Sequence, residues 1–342
     1  MVSERGLQVL RAIVQDYVET HEPVGSRSIV NRYSFGVSAA TIRNDMALLE
    51  DEELITAPHT SSGRVPTDKG YRVFVNHLAQ LRPLTVAQRT AIESFLTDPA
   101  DLDDLMARTV RVLTQLTGQV ALAQYPSFAR AHVTHLELVL LAPNRMLIVL
   151  VTDAGGVSQR VTALPEMVDE SDLAVLRARL SAMITGRAVS EAAERLQGLL
   201  DDDMTKDAVL RTLSSVVIDE LGEFRQERLV MAGAATLARR GQDFRGSIHP
   251  LLEAIEEQVT LLRLMSEMEA DAHGLSASIG TENAPFGLGE ASIVASDYAA
   301  PGGTARVGVM GPTRMDYPSN LAAARAVARY LSRMLDEDEA GR

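Results

Sequence analysis

Two stretches of this chain carry residue types and spacings suited to recognising another molecule. They are Ser38-Ala39-Ala40-Thr41-Ile42-Arg43-Asn44-Asp45-Met46 and His59-Thr60-Ser61-Ser62-Gly63-Arg64-Val65-Pro66. The first predicts a helix that opens with small and hydroxylated side chains. Such a helix can sit deep in a major groove, where the Asn44 amide would pair with an adenine edge and alanine or threonine methyls would meet a thymine methyl. Its amino terminus favours a phosphate oxygen, because unpaired backbone N–H groups and the helix dipole both attract an anion. The second stretch predicts a tight hairpin. Ser61, Ser62 and Gly63 tolerate the backbone conformations of a turn, and Arg64 would project from the tip toward a phosphate or a minor groove. Ala40, Thr41 and Asn44 are therefore the candidates for base edges. Ser26, Arg27, Ser38, Arg43, Arg64 and Lys69 are the candidates for phosphate or groove positioning, and His59, Ser61, Ser62 and Gly63 complete the DNA-binding set.

These residues need elements to hold them. Leu7, Leu10, Ile13, Val14 and Tyr17 recur at helical spacing and predict a first helix over residues 3–20. Pro23-Val24-Gly25 ends it, and Ser26 is placed to cap a short second helix carrying Ile29, Val30 and Tyr33. Phe35-Gly36-Val37 makes the next turn, and Ser38 caps a third helix running to about Glu53. On that helix Ala39, Ile42, Met46 and Leu49 form the inward face. Ala40, Asn44, Ala47 and Asp51 lie opposite, with Thr41 and Arg43 flanking them. Thr67 and Asp68 cap a further helix containing Lys69, Tyr71, Phe74 and Leu78. Three tightly connected helices followed by a hairpin make a winged helix-turn-helix. Three-helix modules also bind proteins, and an exposed asparagine is often only solvated, so the pattern alone leaves both partners open.

Charge and composition narrow the classes. The net charge is −13, but residues 1–82 hold nine Lys and Arg against ten Asp and Glu, which leaves −12 on the remainder. An acidic body repels DNA, so one defined docking face and weak non-specific binding are expected. The chain has no cysteine, which excludes disulfides and thiolate metal sites. No apolar signal region follows Met1, and runs such as Met146 to Val151 are too short to span a bilayer. A cytoplasmic protein with no membrane partner is expected. Phosphate-loop, dinucleotide and metalloprotease motifs are missing, Gly287-Leu288-Gly289 lacks a strand-to-helix setting, and His132 and His135 would face opposite sides of a strand. No catalytic residue, metal or cofactor is predicted.

Beyond the first domain, residues 83–101 read as a linker with a short helix, and residues 102–117 as a helix. Strands are expected at Val120–Tyr125, His135–Leu141, Arg145–Thr152 and Val157–Leu164. From Asp169 the period turns helical, with one stripe at Leu173, Leu176, Leu180 and Ile184 and another at Leu210, Leu213, Val217 and Leu221. Asp201-Asp202-Asp203 reads as a loop or helix cap between them. Strands return at Leu229–Ala232, Ser276–Gly280, Ser292–Asp297 and Ala305–Met310, with helices at 248–269 and 318–336. The stripe Leu210, Leu213, Val217, Leu221 and the terminal stripe Leu321, Ala324, Ala328, Leu331, Leu335 could each form a subunit interface or be buried within one subunit.

Val24-Gly25-Ser26, Ser38 to Met46, His59 to Tyr71 and Val309-Met310-Gly311-Pro312-Thr313-Arg314-Met315-Asp316-Tyr317 closely resemble the HrcA family of heat-inducible transcription repressors. The resemblance spans essentially the full chain, with motifs in the same order at both ends. It implies an α+β multidomain protein: a winged helix-turn-helix at 1–82, a linker at 83–101, and a GAF-like domain at 102–164 and 227–338. A largely helical dimerisation segment at 165–226 would be inserted into the latter, with Leu210, Leu213, Val217 and Leu221 as its tentative interface. The resemblance further implies a bacterial homodimer on a double-stranded, inverted-repeat operator upstream of chaperone operons. Repression would be released on heat shock and depend on the GroEL chaperonin. An alternative is a ligand-gated winged-helix regulator whose GAF-like domain holds a small molecule near Gly302-Gly303 and Met310-Gly311-Pro312, although those glycines are more simply strand turns.

Overall fold

The computed structural model describes residues 2–59, 62–78, 83–126, 131–202, 207–224, 228–239, 243–244, 248–300 and 303–340. The chain divides into two compact units. One comprises Met1–Ala123, Leu229–Asp297 and Arg306–Tyr330; the other comprises Gln124–Arg228, Tyr298–Ala305 and Leu331–Arg342.

The first unit opens with three helices: α1 (Glu4–Thr20), α2 (Ser26–Arg32) and α3 (Ala39–Asp51). The Ser3 side chain caps α1 by accepting from Gly6 N–H, and Ser38 caps α3 by accepting from Thr41 N–H. Ser26, expected to cap α2, is instead its first helical residue; Gly25 holds the cap position and supplies no side-chain bond. Val9, Leu10, Ile13, Ile29, Ile42 and Leu49 are buried and close the three-helix core. A minimal hairpin, β1 (Ile55–Thr56) and β2 (Val65–Pro66), pairs antiparallel with Ile55 opposite Pro66. Then come α4 (Asp68–Asn76), α5 (Val86–Leu96) and α6 (Leu102–Thr117), capped by Thr67, Thr85 and Asp101.

A five-stranded sheet follows, built from β3 (Val120–Gln124), β7 (Leu229–Ala232), β8 (Leu275–Ile279), β9 (Ala291–Ala300) and β10 (Gly303–Pro312) in the order β7-β3-β10-β9-β8. Gly303, Met310, Gly311 and Pro312 all belong to β10, while Gly302 lies outside the described residues. α10 (Ala234–Arg239), α11 (His249–Glu257), α12 (Val259–Glu267) and α13 (Tyr317–Ala340) accompany this sheet in the chain. Leu261, Leu264 and Met265 of α12 share one core with Val120, Leu122, Ile293 and Met310. The single helix expected at 248–269 is two, because Gln258 takes φ 49° and its N–H bonds Ala254 O, closing α11.

In the second unit, β4 (Val133–Ala142), β5 (Arg145–Thr152) and β6 (Val157–Ala163) form an antiparallel sheet in that order. α7 (Glu170–Ile184), α8 (Val189–Asp201) and α9 (Ala208–Glu223) complete it. Leu136, Leu138, Met146, Ile148 and Leu150 point to one side of the sheet and share a core with the three helices. These strands therefore pack with the helices expected at 165–226, although the sequence grouped them with residues 102–164. Asp203 of the acidic run lies outside the described residues.

The stripe Leu210, Leu213, Val217 and Leu221 requires a correction. All four residues are 0% exposed within the single chain, packed in the core beneath the sheet. Side chains already covered by their own subunit offer no surface to a second one, so the stripe is core and not interface. Leu213→Ala should accordingly cost about 2–5 kcal/mol in denaturant-induced unfolding. The oligomeric state measured by light scattering should stay unchanged.

Candidate nucleic-acid interface

The inward side of α3 holds a carboxylate as well as an apolar row. Asp45 is 5% exposed and accepts two bonds from Arg5 of α1, Nε to Oδ2 at 2.8 Å and Nη2 to Oδ1 at 3.0 Å. This fork pins α3 to the start of α1, because two parallel bonds fix the relative orientation of guanidinium and carboxylate where a single bond would not. A second buried carboxylate, Asp16 on α1, gathers α2: Arg32 Nη1 donates at 3.0 Å, Tyr33 OH at 2.9 Å and Ser28 Oγ at 3.5 Å. Neither acid stood out in the sequence, although each falls on the apolar side of its helix, where an unpaired charge would be costly. Burial first, and then the bond to Asp16, push the Tyr33 hydroxyl up from the ordinary 10.0 to about 12.

With that side pinned, the opposite side of α3 faces water. Ala40, Arg43, Asn44, Ala47 and Leu48 are exposed, and Thr41 is half-buried. Ala40, Asn44 and Leu48 stand at successive four-residue steps and form one ridge, with Arg43 and Ala47 forming the next. Leu48, at 63% exposed, is an apolar side chain on this face that sequence reasoning passed over. Its position four residues beyond Asn44 was the available signal. Thr41 Oγ1 lies 3.0 Å from Ser38 Oγ, so its hydroxyl is engaged locally while Ser38 closes the helix start. Arg27 on α2 is exposed and Ser26 half-buried.

The hairpin is strapped from two sides. Val24 N donates to Arg64 O and Arg64 N to Val24 O, both at 2.9 Å, joining the strand to the α1–α2 connection. A Cβ on Gly63 would lie 2.6 Å from the Pro23 carbonyl carbon and oxygen, so this approach requires glycine. Arg64 does not project from the tip as expected. Its Nε and Nη2 both reach Glu50 Oε2 of α3 at 2.9 Å, and Nη1 donates to Ser62 O at 3.2 Å. The pairing with Val24 turns this residue toward α3, where Glu50 neutralises it. His59 and Ser62 close the loop: His59 N donates to Ser62 Oγ at 2.9 Å, and Ser62 Oγ to His59 O at 2.6 Å. Ser61 lies outside the described residues. Lys69 Nζ donates to Glu52 O at 2.9 Å, at the far end of α3. Of the candidate cations, Arg27 and Arg43 alone form no ion pair among the described residues.

The structure thus brings the α3 candidates onto one exposed face and places His59, Ser62 and Gly63 in one strapped loop. Lys69 and Arg64 instead tie elements together. Among the described residues no group of three or more His, Asp or Glu could hold a metal ion, and no helix is long and apolar enough to cross a membrane.

Comparison with known proteins adds an independent observation. Residues 103–320 match the profile of the family described as HrcA protein C terminal domain. The heat-inducible transcription repressor HrcA of Clavibacter michiganensis subsp. michiganensis is 62% identical over 98% of this chain and 100% of its own length. That of Leifsonia xyli subsp. xyli is 59% identical over the same shares. A crystal structure described only as a hypothetical protein superposes over 98% of this chain and 99% of its own, with a TM-score of 0.65 at 24% identity, which shows a shared fold.

The anchoring of α2 is open to titration. Difference absorbance between the native chain and Tyr33→Phe should reveal a phenol ionising at about 12, above the ordinary 10.0. Because the folded value is raised, the contribution to stability is complete below pH 10.0 and disappears as pH rises toward about 12. A difference midpoint at the ordinary value would show that Tyr33 is neither buried nor held against Asp16.

Proposed function

The chain belongs to the HrcA family, and we propose that it is a sequence-specific DNA-binding transcription repressor acting as a homodimer on an inverted-repeat operator of chaperone genes. The observation that carries this reading is the exposed α3 ridge of Ala40, Asn44 and Leu48, presented by a helix whose other side is pinned by Asp45. Residues 1–82 are read as a winged helix-turn-helix with α3 in the major groove and the β1–β2 hairpin as the wing. Asn44 reads an adenine edge, while Ala40, the Thr41 methyl and Leu48 meet thymine methyls. Arg43 and Arg27 hold phosphates, with Ser26, Ser38 and the His59–Gly63 loop beside the backbone; Arg64 and Lys69 brace the wing and the end of α3.

The five-stranded sheet with its helices is read as a GAF-like domain, and residues 124–228 as the inserted dimerisation segment. The far side of the β4–β6 sheet supports that role. Along the registers Val139–Leu147–Val161 and Val151–Val157, apolar side chains line up across the strands. Val139, Leu141, Val157 and Val161 are 41%, 53%, 63% and 46% exposed. Exposed apolar rows of this kind, joined through Val149 but flanked by His135, Glu137 and Gln159 on the neighbouring strands, support an interaction surface, and an inverted repeat calls for a two-fold pair. A second copy of the same sheet face is the occupant proposed here.

Heat control follows from marginal stability: a small loss of folding free energy empties the DNA-competent state, and GroEL-assisted refolding sets how much returns. Repression that persists unchanged in cells depleted of the chaperonin would overturn that part of the reading.

A mobility-shift titration with the inverted repeat and its half-site tests the whole. The native chain should prefer the paired site without any added small molecule. Asn44→Ala should cost about 1–3 kcal/mol and relax preference at one base pair, whereas Arg43→Ala should weaken all sequences alike and lower the salt slope by about 1. Unchanged base preference in Asn44→Ala removes that residue from the recognition set. Val161→Asp should yield monomers in sedimentation and abolish the paired-site preference; a stable Val161→Asp dimer would place the interface elsewhere.

A further inference from the structure

Among the described residues, side-chain contacts join the helices that present α3 to the rest of the first unit at two separate places. On α4, Arg72 Nε donates to Glu282 Oε1 at 2.7 Å, Nη2 pairs with the other carboxylate oxygen, and Nη2 also donates to Ala277 O at 2.7 Å. Glu282 is oriented beforehand, since its Oε2 accepts from Ile279 N at 2.9 Å. One turn earlier, Asp68 Oδ2 accepts from Thr281 N at 2.9 Å. Gly280 makes room: its φ is 53°, and a Cβ there would lie 2.3 Å from Asp68 Oδ2. Between them the buried Tyr71 ring meets the Tyr317 ring at 5.6 Å. The second attachment is at α1, where the Arg314 guanidinium sits 5.5 Å from the Tyr17 ring centre and is held by Asp243.

A cavity of about 330 Å³ lies beside these contacts, lined among others by Tyr17, Asp68, Tyr71, Phe244, Glu290 and Arg314. Discrete charged and aromatic contacts therefore form part of this attachment. Apolar packing tolerates sliding; a guanidinium–carboxylate fork does not. A body held at one point can pivot in every direction, while a second attachment limits it to rotation about the line that joins the two.

We infer that Arg72 is a positioning residue for operator recognition: through its fork to Glu282 it sets the direction in which α3 faces, without touching DNA. This inference rests on the DNA-binding reading above. Direction matters little for one half-site and much for two, because the second contact is gained only if the second helix already points at its groove.

The test uses the full chain and three duplexes: a half-site, the inverted repeat, and the inverted repeat with a lengthened spacer. Arg72→Ala should keep half-site affinity within about twofold, lose about tenfold on the paired site and discriminate less between the two spacers. The double variant Arg72→Glu with Glu282→Arg should recover part of the paired-site affinity and spacer discrimination, because it restores the ion pair but not the backbone bonds at Ala277 and Ile279. Thermal unfolding of each variant separates lost positioning from lost folding, since a merely destabilised chain loses half-site and paired-site binding together. Paired-site binding by Arg72→Ala equal to the native chain overturns the inference and leaves the DNA reading standing. So does equal loss on both sites without recovery in the charge-swapped chain. A native chain with no preference for the paired duplex overturns the DNA reading, and the positioning role falls with it.

Discussion

The pair between Arg5 and Asp45 decides which side of α3 is left to water. A carboxylate taken out of solvent on the inner side of a helix must keep its partner, and Arg5 can meet it with a fork only when α3 is rotated one way about its own axis. Ile42, Met46 and Leu49 enforce the same rotation by burial. Everything attributed to the outward ridge of Ala40, Asn44 and Leu48 follows from that rotation, as does the nearness of Glu50 to the hairpin, where it captures Arg64. Asp16 repeats the device for α2. The exposed face of α3 is thus defined by charges that face away from it.

The hairpin shows how little sheet is needed when other contacts carry the load. Two residue pairs alone would not hold two strands together. The backbone bonds between Val24 and Arg64, the close approach at Gly63 and the ion pair to Glu50 supply what the ladder lacks. A hairpin fastened in this way follows α3 and the α1–α2 connection as one body. Arg64 serves that fastening, which leaves Arg43 and Arg27 as the candidate cations without an ion pair among the described residues.

The second unit answers a different demand. Its sheet is apolar on both sides, and the sides are not equivalent. One is filled by α7, α8 and α9; the other presents valines and leucines to solvent. On β6 the alternation runs against the usual arrangement: Val157 and Val161 point out, whereas Ser158 and Arg160 meet the buried Glu220 of α9. On this strand the valines thus face solvent, while Ser158 and the still-exposed Arg160 turn toward α9. The α9 stripe, already covered within the chain, presents no such face.

Much of this protein was legible in the order of its residues. The helices of the first domain, their caps at Ser38 and Thr67 and the outward ridge of α3 follow from propensity, capping chemistry and period, which act over a few residues. The strands of both sheets were placed by the same means. Tertiary structure alone decided the rest. Whether Leu210, Leu213, Val217 and Leu221 form core or interface cannot be read from period, because a helix buried in its own subunit and one buried against a partner carry the same stripe. The break at Gln258 left no trace, since Leu251, Ala254, Leu261 and Leu264 keep one phase across it. Arg64 finds Glu50 fourteen residues away and Arg72 finds Glu282 across 210. Such pairings are fixed by which surfaces the packed chain brings together, and no local rule of sequence contains that information.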